Sequence, residues 1–220
     1  MNMKKKGICF GSGGIAQMLF DGYSNSVYKD EFDIYYFYVD EAYKKEDNFN
    51  GIPIITSLDH IENIEEYYFS VGVLDIRLRK KFIRLAESKN IKPTTLIHPS
   101  AKIGRNVKIG KGSMIHVNSV IEGGTTIGEY CIIGSLTRIG HNTTIGNHCQ
   151  ISSLTSIGGY NTIGDNVLIN TGCITIENLN VTSGAILGMG AVVFKDVPKG
   201  SIMIGNPARN VRTKKAIVDE

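Results

Sequence analysis

The chain has 220 residues, with 24 Lys and Arg against 21 Asp and Glu, for a formal net charge of +3. Hydrophobic residues make up 42% and charged residues 20%, an ordinary globular composition. That balance excludes a strongly basic nucleic-acid binder and an acidic disordered chain, and no apolar run reaches the ~18 residues that a membrane span needs. Residues 1–14 are basic but hold too short an apolar stretch for a signal peptide. A cytoplasmic protein is expected, with no nucleic-acid or membrane partner.

In chain order, residues 6–10 read as a strand. Gly11, Ser12, Gly13, Gly14, Ile15 and Ala16 follow and open an apolar helix that runs through Phe20. Residues 32–39 read as a second strand ending at Asp40, and residues 67–73 as a third. Residues 76–88 read as a basic amphipathic helix with Phe82, Ile83 and Leu85 on its apolar side. This is an α/β layer of the Rossmann-like βαβ type. A Gly-rich turn between a strand and a helix aims backbone N–H groups and the helix dipole at phosphate. Gly11, Gly13 and Gly14 are therefore candidate nucleotide contacts, and Asp40 lies where a ribose-binding acid would sit. About 90 residues are too few for two nucleotide-binding halves, so one nucleotide is expected and not a dinucleotide.

From Ile97 to Ile169 every sixth residue is Ile, thirteen in succession, and Thr175, Val181, Leu187 and Val193 keep the register. Gly follows the repeat residue at many positions, among them Gly104, Gly140 and Gly158. Two residues before each Ile stands a small or modest side chain, such as Ser113, Thr125, Cys131 or Thr143. A period of six fits neither a 3.6-residue helix nor one long strand. It fits short strands joined by tight turns. Three hexapeptides make a coil of eighteen residues, a triangular prism with Ile inside, and coils stack about 4.8 Å apart. The small residue falls at the crowded inner corner.

Three features then coincide: the N-terminal layer, the junction Leu96-Ile97-His98-Pro99-Ser100-Ala101, and a prism that ends in Gly205-Asn206-Pro207-Ala208-Arg209. Together they resemble the bacterial sugar O-acyltransferase family named for sialic acid O-acetyltransferase. That family includes N-acetyltransferases acting on nucleotide-linked amino sugars. The resemblance implies a left-handed parallel β-helix, assembly as a homotrimer, and acetyl-CoA as co-substrate without a metal. Domains are expected at residues 1–95 (nucleotide-sugar binding) and 96–209 (acyltransferase β-helix), with a charged tail at 210–220.

The family's His matches Ile139-Gly140-His141-Asn142. His141 is the expected general base for attack of a sugar amine on the thioester, since neutral imidazole accepts a proton near neutral pH. Its neighbours one coil away are Gly123 and Gly159, so the ring should project from a bare surface with room on both sides. Asn142 replaces the usual acid, and Glu122 is a candidate substitute. Gln150 stands where a second family His would be, beside the acetyl group. Gly72, Asp75 and Arg77 match the family's nucleotide pocket. Gly159, Gly188, Gly190, Ala191, Lys195, Pro207 and Arg209 match its CoA-binding stretch. The three histidines His116, His141 and His148 differ in phase around the coil, so no metal site is expected. Cys131 and Cys149, eighteen apart, should stack as reduced thiols beside Cys9 and Cys173. The reaction implied is acetyl-CoA-dependent N-acetylation of a nucleotide-linked amino-deoxy sugar. O-acetylation of sialic acid or a related free sugar and a non-catalytic β-helix scaffold are the rivals. The base of the nucleotide stays open among UDP, dTDP and GDP.

Overall fold

The computed structural model describes residues 5–18 and 32–213. The chain divides into two compact units, Met1–Thr94 and Thr95–Glu220.

The first unit is built on β1 (Lys5–Phe10), whose Ile8, Cys9 and Phe10 are fully buried. It pairs in parallel with β2 (Phe32–Tyr38) on one side. The remaining strands are β3 (Asn48–Phe49), β4 (Ile52–Ile55), β5 (Tyr68–Val71) and β6 (Lys92–Pro93), and the sheet order is β3-β4-β2-β1-β5-β6. Only the β3–β4 pair is antiparallel. Its turn is Asn50-Gly51, both at positive φ (49° and 82°), the two-residue turn that matches strand twist. Helix α1 occupies residues 14–18, where the described stretch stops. Its expected end at Phe20 lies outside the described residues. Helix α2 (Ile76–Ser88) covers the sheet with Ile76, Phe82, Ile83 and Ala86 buried. Phe82 meets Phe10 with ring centroids 5.7 Å apart. Because β2 and β5 flank β1 on opposite sides, the chain reverses direction across the sheet at the carboxyl end of β1. Such a switch point opens a crevice between diverging loops.

The second unit is a parallel β-helix of two-residue strands in three sheets. Partners are eighteen apart from Leu96–Ile97 through Val192–Val193, as in Ile121 with Ile139 and Ile139 with Ile157. The inward Ile column is buried from Ile115 to Ile169. Ile103 in the first coil is 38% exposed, and Ile97 and Ile109 are half-buried. At each corner one residue is left-handed. One corner stacks Asn106, Gly124, Asn142, Tyr160 and Asn178, all with φ between +53° and +75°. The inner-corner side chains do more than save space. Ser113 Oγ donates to Gly128 O (2.8 Å), Thr125 Oγ1 to Gly140 O (2.9 Å) and Thr143 Oγ1 to Gly158 O (3.1 Å). Cys131 and Cys149 take the same role, each Sγ lying 3.0 Å from a carbonyl fifteen residues on. These groups satisfy turn carbonyls that the ladder leaves open. All four cysteines are free and buried.

At the start of the charged tail, Arg209–Thr213 pairs antiparallel with Ser201–Ile204. Residues 214–220 lie outside the described residues. Among the described residues no helix is long and apolar enough to cross a membrane.

Candidate functional site

His141 sits on a corner of the prism and is exposed. Four neighbours surround it. Its own backbone N–H donates to Glu122 Oε2 at 3.0 Å. The Asn142 side-chain amide lies 3.2 Å from Nδ1. The Tyr160 ring stands edge-on to the imidazole at 90°, centroids 4.9 Å apart. Gly159 lies under the ring, so close that a Cβ there would come 2.9 Å from Cε1 and 3.0 Å from Nε2. The bare surface is therefore one-sided: the imidazole itself occupies the space over Gly159. Only the Gly123 side is open, where a Cβ would meet nothing but the Arg105 backbone. The N–H of Gly159 donates to no acceptor among the described residues. Elsewhere the same turn N–H is closed by a side chain, as Glu129 N–H is by Asn147 Oδ1 (2.8 Å).

Tyr160 and Asn142 owe their places to the left-handed corner. Asn tolerates that backbone and Tyr does not, at a cost of roughly 1–2 kcal/mol. Beneath this corner Asn161 is buried and spans two coils. Its Nδ2 donates to Thr175 Oγ1 (2.7 Å) and Ile176 O (3.0 Å), and its Oδ1 accepts from Leu179 N–H (2.6 Å). Glu122 does not reach the imidazole. Its Oε1 is held by Arg138, with Nε at 2.9 Å and Nη2 at 2.7 Å.

The first unit carries a cavity of about 710 Å³ at the carboxyl ends of β1, β2 and β5. Gly11, Gly13, Gly14, Asp40 and Gly72 line it together with Tyr43, Leu74, Leu78 and Phe82. Tyr43, Leu74, Leu78 and Phe82 are apolar or aromatic side chains that no nucleotide motif marks. Gly72 packs so tightly that a Cβ would lie 2.8 Å from the Ala16 backbone, and this contact holds the start of α1 against the end of β5. A polar recess of about 360 Å³ adjoins it, lined by Ser12, Gly13, Gln17, Tyr43 and Lys45 among others. Asp40 Oδ2 is bonded to Lys81 Nζ on α2 at 2.7 Å, and that bond raises the lysine above its usual range. Asp75 and Arg77 do not line the cavity. Asp75 instead caps α2, its Oδ1 accepting from Leu78 N–H at 2.8 Å, and Arg77 is exposed on the same helix.

The residues expected to hold CoA fall on two corners. Gly159 and Lys195 stand in the His141 column, Lys195 three coils or about 14 Å away. Gly188 and Gly190 turn the preceding corner, and a Cβ on Gly190 would meet nothing within 4 Å. Ala191 is fully buried, so only its backbone is available. Gln150 is buried on the face between Ile132 and Leu168. Pro207 and Arg209 are exposed where the last strands pair. Among the described residues no group of three or more His, Cys, Asp and Glu side chains could hold a metal ion.

The architecture is shared with known proteins. The acetyltransferase domain of PglB from Neisseria gonorrhoeae superposes with a TM-score of 0.85 at 26% identity, over 94% of this chain and 100% of that one. The same domain in complex with acetyl coenzyme A gives 0.86 at 25% identity, over 95% and 100%. The chain has the fold of the hexapeptide-repeat acetyltransferases. PerB from Caulobacter crescentus, in complex with CoA and GDP-perosamine, shows the same fold at 23% identity and a TM-score of 0.82, over 94% and 98%. The hexapeptide prism is thus left-handed, following the Rossmann-like first unit. Residues 81–185 match the family model for the GMPPB C-terminal domain. A 54-residue stretch is 35% identical to the 2,3,4,5-tetrahydropyridine-2,6-dicarboxylate N-acetyltransferase of Staphylococcus aureus. That stretch is 24% of this chain and 23% of the curated relative, so the match covers less than a quarter of either.

Proposed function

We propose that this chain is an acetyl-CoA-dependent N-acetyltransferase acting on a nucleotide-linked amino-deoxy sugar, and that it works in the cytoplasm, where acetyl-CoA and sugar nucleotides are made. One observation carries the reading: an exposed imidazole lies over Gly159, whose backbone N–H has no partner among the described residues. A base and an oxyanion donor side by side are what amine attack on a thioester requires.

The chemistry follows from the geometry. The neutral amine attacks the thioester carbonyl, and the carbonyl oxygen gains negative charge that the Gly159 N–H can stabilise by donating a hydrogen bond. His141 Nε2 takes the proton from the new ammonium. The C–S bond then breaks and the thiolate of CoA recovers that proton. For Nε2 to act as base, the ring proton must lie on Nδ1. In the structure Asn142 Nδ2 faces Nδ1 at 3.2 Å; a half-turn of the amide brings its oxygen there to accept from Nδ1–H and hold that tautomer. The nucleotide would occupy the first unit's cavity, with phosphates at the Gly11–Gly14 turn and Lys45. Gly188 and Gly190 lie on a different corner from His141, and Gln150 lies on a face, so one prism cannot gather them. A homotrimer would bring that corner of one copy against the His141 corner of the next, and this supports a CoA groove between copies.

The test is thiol release from acetyl-CoA with a panel of UDP-, dTDP- and GDP-linked amino sugars. Turnover is expected with one class, and His141→Ala should lower kcat about 100-fold or more. Full activity in that variant would remove the imidazole from the mechanism.

A further inference from the structure

The acid that normally follows the histidine is missing, yet a carboxylate does serve this site. Glu122 stands where other coils have Gly104, Gly140 and Gly158. Gly140 lies directly above it and has no side chain, so the carboxylate can rise past it to the next turn. There Oε2 accepts the His141 backbone N–H at 3.0 Å, while Arg138 occupies Oε1 with two donors, at 2.9 and 2.7 Å. Both oxygens are engaged and the pair carries no net charge.

We infer that Glu122 is a positioning residue for His141, with Arg138 cancelling its charge. The carboxylate fixes the turn from which the imidazole projects. The guanidinium balances the charge of that carboxylate through two hydrogen bonds. Apart from this pair, the groups packed against the ring are neutral: Asn142, Gly159 and the Tyr160 phenol. In the same corner column, Arg105 and Glu177 are each two coils away, one on either side, and offset each other. The arrangement separates two tasks that an adjacent acid would combine, holding the histidine and setting its basicity. This inference rests on the proposed role of His141 in acetyl transfer.

The experiment uses the full chain and two readouts, NMR titration of the His141 ring and the pH profile of kcat/KM for thiol release. One unpaired charge near a ring, acting through a high-dielectric surface, shifts the ring pKa by about half a unit. Arg138→Gln leaves the carboxylate unbalanced and should move the ring pKa up by about that amount. Glu122→Gln keeps an acceptor for the backbone N–H but leaves Arg138 unbalanced, so the pKa should move down by a similar amount. Glu122→Ala should show the same downward shift and lose about tenfold in kcat with little change in KM, whereas Glu122→Gln should keep kcat within about twofold. Shifts in the same direction, unchanged ring pKa values in both charge variants, or an undiminished kcat in Glu122→Ala would overturn the inference. The NMR titration needs no acceptor. Failure of every sugar nucleotide to release thiol would therefore count against the proposed activity, while the ring shifts would still judge the clamp.

Discussion

Thr143→Val is the sharpest test of how the prism is held. Thr143 is fully buried, and its hydroxyl donates to Gly158 O at 3.1 Å, an oxygen that receives no other donor among the described residues. Valine keeps the shape and removes the proton. The variant loses a hydrogen bond worth about 1 kcal/mol net and strands a buried carbonyl, for a total of about 1–3 kcal/mol. The next residue is a built-in control. Thr144 has the same side chain but is exposed, so Thr144→Val should stay within about 0.5 kcal/mol of wild type. Urea unfolding at one protein concentration measures both, with the m-value expected to be unchanged. If Thr143→Val proves as silent as Thr144→Val, the inner-corner hydroxyls do not satisfy the turn carbonyls and the ladder is only a packing pattern.

Gly159→Ala should push the imidazole off its floor, given the 2.9 Å approach to Cε1, and cut thiol release at least tenfold while circular dichroism stays native. Native activity would mean that the ring does not work from this position. Gly72→Ala meets the Ala16 backbone at 2.8 Å and should abolish any nucleotide-induced thermal shift, whereas a Cβ at Gly13 meets nothing within 4 Å and Gly13→Ala should leave the unliganded fold intact. His116 supplies a pH dependence. Burial, with a smaller contribution from His98, lowers its pKa from 6.5 to about 4. The folded state therefore resists protonation. The associated stability is complete above pH 6.5 and is lost as pH falls toward 4, by up to about 3 kcal/mol. His116→Asn should flatten the Tm profile over that window, and parallel profiles for the two proteins would contradict the assignment.

Much of the scaffold was legible because its repeat is local. Each inward Ile, from Ile115 to Ile169, solves the same packing problem as the one eighteen residues away, so a period of six specifies the prism. The inner-corner Ser, Thr and Cys residues were visible as small side chains, but their donor role depends on a carbonyl fifteen residues on. The Asn50-Gly51 hairpin carried a plain turn signal that the expected elements passed over. Asp75 resembled a pocket residue in the motif, yet an Asp before a helix is equally a cap, and Leu78 N–H takes it. Tyr160 was legible only as the residue one coil from Asn142. Its contact with His141 exists because both fall at one corner, one coil apart.

By itself the order of residues determined the period, the inward face, the Gly-rich turn and the candidate histidine, because each depends on neighbours close in the chain or on strict repetition. Only the tertiary structure decided that Glu122 grips the His141 backbone and not its ring, that the imidazole covers Gly159, and that the CoA-type residues occupy two different corners. Those outcomes turn on directions and on gaps left by missing side chains. Such details arise only when one coil is laid upon the next.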